Sequence, residues 1–509
     1  MNRLMLAIFL AAGSVSAAYE PAKITPETGP RGNVERTFFY SLHETDKEKN
    51  LPRVLLVGDQ KARSAYSDVQ KALRGRAVVT VWDSSYDLNR PEFNALLDIY
   101  LRTHDYAAVY LCNGVETGLK PEAFATELSR VIRDIRAVQP KSTKVIRAAA
   151  PSECTAETIV ADLSRILPKE GVAVAPEPRT DKPTCTDYAF PIHPAIGGRE
   201  NIEWSTFYSF HETDGEKDLP RVLMVGDSIT QSYYEEVARQ LRGKAIVSVW
   251  VNSYNSLRPE YQAKLRVFLR TQKYAIVHYN ISSHCFPSDA DWEKGLRLSL
   301  EMIRAEQPQA KLIWANGPLP RDRKPGVKGR YYELGCRVVG EFGVDGTNDI
   351  YALSQKLTPD MYHDEVHFKK AAQRMAADQA VAAILPLLPK AVPPDRLTAP
   401  AKLGREASGR TYSGTTLSGG RVLPPFRAGA DGVWRTALPG GRKFDELWVN
   451  GRRAVLARTP NEGKYFHAIR PAYEAEDPYR PGHMIDVDKR GAFTDVREPV
   501  PRGATMVLL

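Results

Sequence analysis

Three residues of the types needed for acyl transfer stand at two places in this 509-residue chain. Ser228 lies in the run Gly-Asp-Ser-Ile-Thr at residues 226–230, directly after a short apolar segment, and Asp364 precedes His367 by three residues. A serine is a weak nucleophile until a base takes its proton. A histidine whose Nδ1 is held by a carboxylate keeps Nε2 free for that task. The pattern predicts a nucleophile at Ser228, a general base at His367 and an orienting carboxylate at Asp364.

Each half of this pattern also has a simpler interpretation. A serine at a strand-to-helix turn can be a plain N-cap. An Asp-x-x-His segment can be a surface feature or half of a metal site, although a metal would need further converging ligands. The combination of the two halves in one domain favours the catalytic interpretation.

The segments between these residues alternate between strand and helix patterns. Apolar runs that predict buried strands occupy residues 222–225, 245–250, 274–279 and 311–314, and helical spacing occupies residues 233–241, 261–269, 292–306 and 369–385. This alternation predicts a parallel sheet covered by helices on both faces. Ligands bind such sheets beyond the carboxyl ends of the strands, which is where Ser228 lies.

The chain contains this domain twice, at a constant offset (228 − 60 = 168). Residues 40–46 recur at 208–214, and residues 51–55 recur at 219–223. The period is too long for a solenoid and predicts two tandem domains, repeat 1 at 35–180 and repeat 2 at 203–390. Gln60 stands in place of Ser228, and repeat 1 has no Asp-x-x-His segment. We therefore expect repeat 1 to be inactive, and to pack on repeat 2 or to bind something.

The run at 226–230 and the Asp364-to-His367 segment resemble the first and last signature blocks of the SGNH, or GDSL-like, hydrolases, over residues 203–390. This resemblance implies an α/β fold, with two tandem flavodoxin-like α/β/α sandwiches that have parallel sheets. It also implies ester hydrolysis through an acyl-serine intermediate, without a metal or another cofactor.

The middle blocks of that family supply an oxyanion hole from the serine N–H, a glycine after the second strand and an asparagine after the third. Residues 251–255 contain no glycine here, which leaves Asn252 and Ser253 as candidates. After the third strand, Asn280 and His284 resemble the asparagine and histidine of one subset of the family, and a ring nitrogen can donate as an amide does. In repeat 1, Cys112 stands in place of Asn280.

The two ends of the chain have other patterns. Residues 1–18 have the basic start, short apolar run and small residues of a signal peptide, which predicts a secreted or periplasmic protein. Proline-rich residues 391–424 predict a linker. Residues 425–509 predict a β-rich module with a hairpin at Asn450-Gly451, resembling the opening segment of right-handed β-helix proteins, many of which act on polysaccharides. Trp448 or Tyr465 could stack on sugars there, or belong to the core.

Composition excludes some functions. The formal net charge is +9, but the basic residues are dispersed with no dense block, so we expect no nucleic-acid partner. No stretch reaches 18 apolar residues, so we expect no integral membrane segment. Five cysteines are an odd number. Cys154 and Cys185 are one candidate bridge, and buried reduced cysteines are the alternative.

These observations predict an exported esterase that removes acyl groups, acetyl above all, from a small-molecule or polysaccharide ester. A lipase or thioesterase of the same fold is the nearest alternative among enzymes. A glycan-binding protein in which both repeats are inactive is the alternative from another class.

Overall fold

The computed structural model describes residues 24–25, 34–43, 45, 47–112, 119–148, 153–168, 201–211, 216–281 and 288–389, together with six short strands between residues 427 and 487. The chain divides into two units, residues 1–416 and 417–509. The first unit contains both repeats. The signal peptide predicted at 1–18 and the linker at 391–424 lie outside the described residues.

Strands and helices alternate through the first unit. Its strands are β1 (Val34–Leu42), β2 (Arg53–Gly58), β3 (Val78–Ser84), β4 (Ala108–Cys112), β5 (Lys144–Arg147), β6 (Ile202–Phe210), β7 (Arg221–Gly226), β8 (Ile246–Asn252), β9 (Ile276–Asn280), β10 (Lys311–Ala315) and β11 (Gly346–Asn348). Its α-helices are α1 (Gln60–Ala72), α2 (Pro91–Thr103), α3 (Pro121–Val138), α4 (Ala156–Ile166), α5 (Ser228–Gln240), α6 (Pro259–Thr271), α7 (Asp289–Glu306), α8 (Gly326–Phe342), α9 (Ile350–Gln355) and α10 (Lys370–Ile384).

The eleven strands form one sheet in the order β11-β10-β9-β7-β8-β6-β1-β3-β2-β4-β5. Within each repeat the neighbouring strands are parallel, except that β1 and β6 run antiparallel to β3 and β8. The mixed α/β architecture predicted from the strand and helix patterns is therefore present. The carboxyl ends of the parallel strands of repeat 2 form the edge where β7 leads into α5.

The two repeats meet through the pairing of β1 with β6. The pairs run from Val34 opposite Phe210 to Leu42 opposite Ile202, with Phe38 opposite Thr206 at the centre. Phe38 and Thr206 are themselves equivalent positions of the two repeats, so the contact has the two-fold character of an isologous dimer interface. Pairing also removes two exposed sheet edges, which are prone to aggregation.

The core follows the same symmetry. The rings of Phe39 and Tyr100 stack at 4.3 Å between centroids in repeat 1, and those of Phe207 and Phe268 stack at 4.5 Å in repeat 2. All four rings are buried and belong to one apolar cluster that extends through both repeats. Burial of aromatic rings of this size contributes strongly to stability.

The predicted strands and helices of repeat 2 are confirmed as β7 to β10, α5, α6, α7 and α10. The predictions missed β6, β11, α8 and α9. Helix α8 contains Gly326, Gly329, Gly335 and Gly340, and glycine disfavours a helix by about 1 kcal/mol relative to alanine. The ring of Trp314 occupies the space that a side chain at Gly335 would need, which is the packing reason for that glycine.

The predicted bridge between Cys154 and Cys185 is wrong. Cys154 is bonded to Cys112, with 5.6 Å between the two Cα atoms. Cys154 stands just before α4, which packs on α1 and so brings it to the carboxyl end of β4. Cys336 is free and exposed. Cys185 lies outside the described residues.

In the second unit the described strands form three antiparallel pairs. Trp448–Val449 pairs with Arg452–Arg453, which confirms the hairpin predicted at this place. The side chains of Trp448 and Tyr465 are outside the described part. Among the described residues of the whole chain, no helix is both long enough and apolar enough to cross a membrane.

Candidate active site

The turn from β7 into α5 presents Ser228. Asp227 is the N-cap of α5, and its Oδ1 accepts a hydrogen bond from the Ile229 N–H at 2.9 Å. A side chain at Gly226 would collide with Thr230, so the turn requires glycine there. Repeat 1 builds the same turn, in which Asp59 caps α1 and accepts from the Lys61 N–H at 2.8 Å. The Gly-Asp turn is therefore a property of the fold, and the serine is specific to repeat 2.

The structure brings the three predicted catalytic side chains together. Ser228 Oγ lies 2.7 Å from His367 Nε2, and His367 Nδ1 lies 2.7 Å from Asp364 Oδ2. With Nδ1 donating to the carboxylate, Nε2 is the acceptor for the serine hydroxyl. The side chains of His367 and Asp364 are 30% and 39% exposed, so the site is open to a substrate.

Asp364 is held in its charged form. Its Oδ1 accepts hydrogen bonds from the N–H groups of Val366, at 3.0 Å, and His367, at 2.9 Å. Burial acts to raise the pKa of Asp364, but these backbone hydrogen bonds and the imidazole of His367 outweigh it and lower the pKa to about 2. A permanently charged Asp364 can orient His367 and stabilise the imidazolium that forms when the base takes a proton.

Backbone hydrogen bonds hold together the loop that carries His367. His363 donates its N–H to the carbonyl of His367 at 2.8 Å, and Lys369 donates to the carbonyl of Met361 at 2.8 Å. Arg321 donates its N–H to the carbonyl of Glu365 at 2.7 Å, which ties the loop to the segment after β10. These contacts fix the imidazole before a substrate arrives.

Two of the predicted oxyanion residues, the last residue of β8 and the one after it, are held by backbone groups. The N–H of Ser253 donates to the Trp204 carbonyl at 3.0 Å, and its hydroxyl accepts from the Trp204 N–H at 3.0 Å. Ser253 therefore closes the pairing of β8 with β6, and it is not brought to the serine. Asn252 is buried and its Oδ1 accepts from the Tyr254 N–H at 2.9 Å.

Asn280, at the end of β9, donates both amide hydrogens to backbone carbonyls. The acceptors are Ala315 at 3.0 Å and Asn316 at 3.1 Å. In this arrangement its amide holds β9 to β10 and does not point a donor at the substrate. His284 lies outside the described residues. The N–H of Ser228 remains as a donor, because the first N–H groups of a helix have no carbonyl partner within it.

A small cavity opens beside Ser228 and His367, with a volume of about 100 Å³. Trp292, Trp314 and Tyr331 form its buried wall. The sequence analysis missed these residues, because only the folded sheet brings α7, β10 and α8 to one place.

Lys328, in the first turn of α8, also lines this cavity. Burial lowers the pKa of Lys328, and the negative charges of Asp227 and Glu365 oppose that effect. The ammonium group therefore lies near carboxylates on both sides of the site, one beside the nucleophile and one beside the base.

Part of the chain is similar to solved structures of carbohydrate esterases and of G-D-S-L family proteins. Similar solved structures include a family 3 carbohydrate esterase from Talaromyces cellulolyticus, at 14% identity over 33% of this chain and 98% of that one, with a TM-score of 0.28. TesA is 19% identical over 33% of this chain and 99% of its own, with the same TM-score. A lipolytic G-D-S-L family member from Veillonella parvula is 12% identical over 32% of this chain and 96% of its own, also with a TM-score of 0.28.

No protein-family model and no curated protein matches the chain. At these identities and TM-scores the likenesses carry no weight for activity. What the chain can do chemically rests on the contacts of its own side chains.

Repeat 1 lacks the chemistry at the equivalent place. Gln60, which has no nucleophilic oxygen, is exposed at the start of α1. Helix α4 packs on α1 as α10 packs on α5 in repeat 2, but the segment before α4 carries Cys154 and Thr155 where repeat 2 carries His367 ahead of α10. At these two described positions of repeat 1 the side chains differ from Ser228 and His367, and the inactivity of repeat 1 stays a prediction.

Proposed function

We propose that the protein is a serine esterase that hydrolyses acyl esters of carbohydrates, with acetyl as the acyl group, through an acyl-serine intermediate. The observation that carries this proposal is the continuous hydrogen-bonded chain from Ser228 through His367 to Asp364. Nucleophile, base and orienting carboxylate in mutual contact are the arrangement that activates a serine hydroxyl.

In the proposed reaction, Ser228 Oγ attacks the ester carbonyl while its proton moves to His367 Nε2. The N–H of Ser228 stabilises the negative oxygen of the tetrahedral intermediate. His367 then gives its proton to the departing alcohol oxygen, which leaves an acyl-serine. Water attacks the acyl-serine in the same way, with His367 as base and then acid, and releases the carboxylic acid and free Ser228.

The size of the cavity supports a short acyl group. Its volume of about 100 Å³ accommodates an acetyl group, and Trp292, Trp314 and Tyr331 line its buried side. A long acyl chain would have to extend beyond it. The same feature argues against the lipase alternative.

We also propose that the protein works outside the cytoplasm, secreted or periplasmic. The pattern of residues 1–18 supports export. The disulfide between Cys112 and Cys154 supports an oxidising compartment, where such bonds persist.

Acetate release from acetylated methyl pyranosides, compared with hydrolysis of p-nitrophenyl acetate and p-nitrophenyl octanoate, tests the substrate assignment. We expect kcat/KM for the acetyl ester to exceed that for the octanoyl ester by more than tenfold, since even one methylene that does not fit a pocket costs about 1–3 kcal/mol. Ser228→Ala should abolish all three reactions. A preference for the octanoyl ester would contradict the acetyl assignment, and no hydrolysis of any ester by folded protein would contradict the esterase.

A further inference from the structure

Two stacked tyrosines stand at the mouth of the cavity. Tyr332 of α8 lines the cavity, and the ring of Tyr351 in α9 stacks on it at 4.3 Å between centroids and 15° between planes. Both tyrosines are partly exposed, whereas the aromatic residues of the cavity wall are buried. Its partial exposure places Tyr332 on the solvent-facing side of the cavity, with Tyr351 stacked on its ring.

Hydrogen bonds fix this pair in place. Tyr351 donates its N–H to Asn316 Oδ1 at 2.7 Å, and Asn316 Nδ2 donates to Asp349 Oδ1 at 2.7 Å. The hydroxyl of Tyr332 donates to Asp349 Oδ2 at 3.4 Å. Asn316 in turn accepts from Asn280 through its carbonyl. A platform that is rigid before binding loses little conformational entropy when a ligand docks on it.

The chemistry of Tyr332 suits a neutral, polyhydroxylated ligand. Burial, followed by the charge of Asp349, raises the pKa of Tyr332 to about 12, so the phenol stays protonated. The face of an aromatic ring carries partial negative charge, which attracts the weakly positive C–H groups on one face of a sugar ring. The hydroxyl at the edge of the ring already donates to Asp349, so the ring face is the part of Tyr332 offered to the ligand.

We propose that Tyr332, backed by Tyr351, is a specificity-determining platform that binds the pyranose ring of the alcohol part of the substrate. This inference rests on the proposed function and extends it to the leaving group. The cavity takes the acyl group, so the alcohol points outward from Ser228, past the partly exposed Tyr332. The enzyme would then prefer acetyl esters of pyranosides over acetyl esters of small alcohols.

The test compares two acetates that differ in the alcohol alone, an acetylated methyl pyranoside and ethyl acetate, by acetate release. In Tyr332→Ala, the preference for the sugar ester, as a ratio of kcat/KM values, should fall about 2- to 12-fold, the equivalent of the 0.5–1.5 kcal/mol of an aromatic contact. Tyr332→Phe keeps the ring and should keep the preference. Tyr234→Ala, a partly buried tyrosine on α5 that does not line the cavity, is the matched control.

Binding separates this inference from the proposed function. Ser228→Ala should bind the acetylated pyranoside in NMR titration, and Ser228→Ala/Tyr332→Ala should bind it more weakly. If wild type hydrolyses no ester but the double variant still binds more weakly than Ser228→Ala, the proposed esterase activity is refuted and the binding role of Tyr332 is retained. Equal binding by the two variants would overturn the platform, and so would an unchanged preference for the sugar ester in Tyr332→Ala. If Tyr332→Ala lowers only the folding stability, the stacked tyrosines serve the packing of α8 on α9.

Discussion

Cys112 and Asn280 occupy the same position in their repeats, at the carboxyl ends of β4 and β9, and each fastens its strand to the chain that follows the next strand. Cys112 does so through its disulfide to Cys154, and Asn280 through hydrogen bonds to the carbonyls of Ala315 and Asn316. Repeat 1 thus uses a disulfide where repeat 2 uses the hydrogen bonds of a side-chain amide. The comparison identifies Asn280 as a residue that positions the edge of the sheet.

The disulfide should stabilise the first unit. It closes a loop across a sequence separation of 42 residues. Cys154→Ser should therefore lower the free energy of unfolding by about 4 kcal/mol on the chain-entropy estimate. Urea unfolding under oxidising conditions measures this, with Cys336→Ser as the control for an exposed free thiol. Equal stabilities of the two variants would show that the bridge contributes nothing.

Much of repeat 2 could be predicted from sequence, because local patterns determine it. Short apolar runs gave β7 to β10, and the fixed offset revealed the tandem repeats. The joining of the two sheets could not be predicted in this way, because the pairing of β1 with β6 depends on contacts between distant segments. Both strands were missed even though β6 alternates between buried and less buried residues.

The contacts of the triad could be predicted from local sequence, whereas those of the oxyanion candidates could not. Asp364 and His367 are neighbours in sequence, so their spacing alone indicated a contact. The partners of Ser253 and Asn280 are backbone groups of β6 and β10, and no motif specifies such partners. The cavity wall was missed because its aromatic residues come from three separate elements.

The buried polar contact between the repeats should be important for stability. Glu203 accepts hydrogen bonds from Arg258 at 2.6 Å and pairs with His104 of repeat 1 at 2.6 Å, and all three side chains are 5% exposed or less. Arg258 keeps Glu260 as a partner, but Glu203→Ala removes a buried hydrogen-bond partner of both Arg258 and His104 and should lower the free energy of unfolding by about 1–3 kcal/mol.

A surface ion pair provides the control for that measurement. Glu341 lies 2.6 Å from Arg297, but its side chain is 52% exposed. Glu341→Ala should have little effect on stability, because solvent and salt screen an exposed ion pair. Chemical denaturation measures the free energy of unfolding of both variants. A similar loss in Glu203→Ala and Glu341→Ala would refute a special role for the buried contact between the repeats.

Stability should depend on Asp364 in acid. The pKa of Asp364 is about 2 in the folded protein and about 3.9 in an unfolded chain, so its contribution is present above pH 4 and disappears as the pH falls towards 2. The difference in Tm between wild type and Asp364→Asn should be constant near neutral pH and shrink between about pH 4 and pH 2. A difference that stays constant down to pH 2 would show that the folded carboxyl is not held in its charged form.

Covalent labelling with a fluorophosphonate, mapped by mass spectrometry, tests the central claim most directly. We predict modification of Ser228 in wild type and in Ser232→Ala, a serine one turn further along α5. No modification is expected in Ser228→Ala, nor in Ser228→Ala carrying Gln60→Ser, since repeat 1 has no Asp-x-x-His segment to activate a serine at position 60. Folded wild-type protein that remains unlabelled at Ser228, or equal labelling at position 60 in the double variant, would contradict a hydrolytic site built by Ser228, His367 and Asp364.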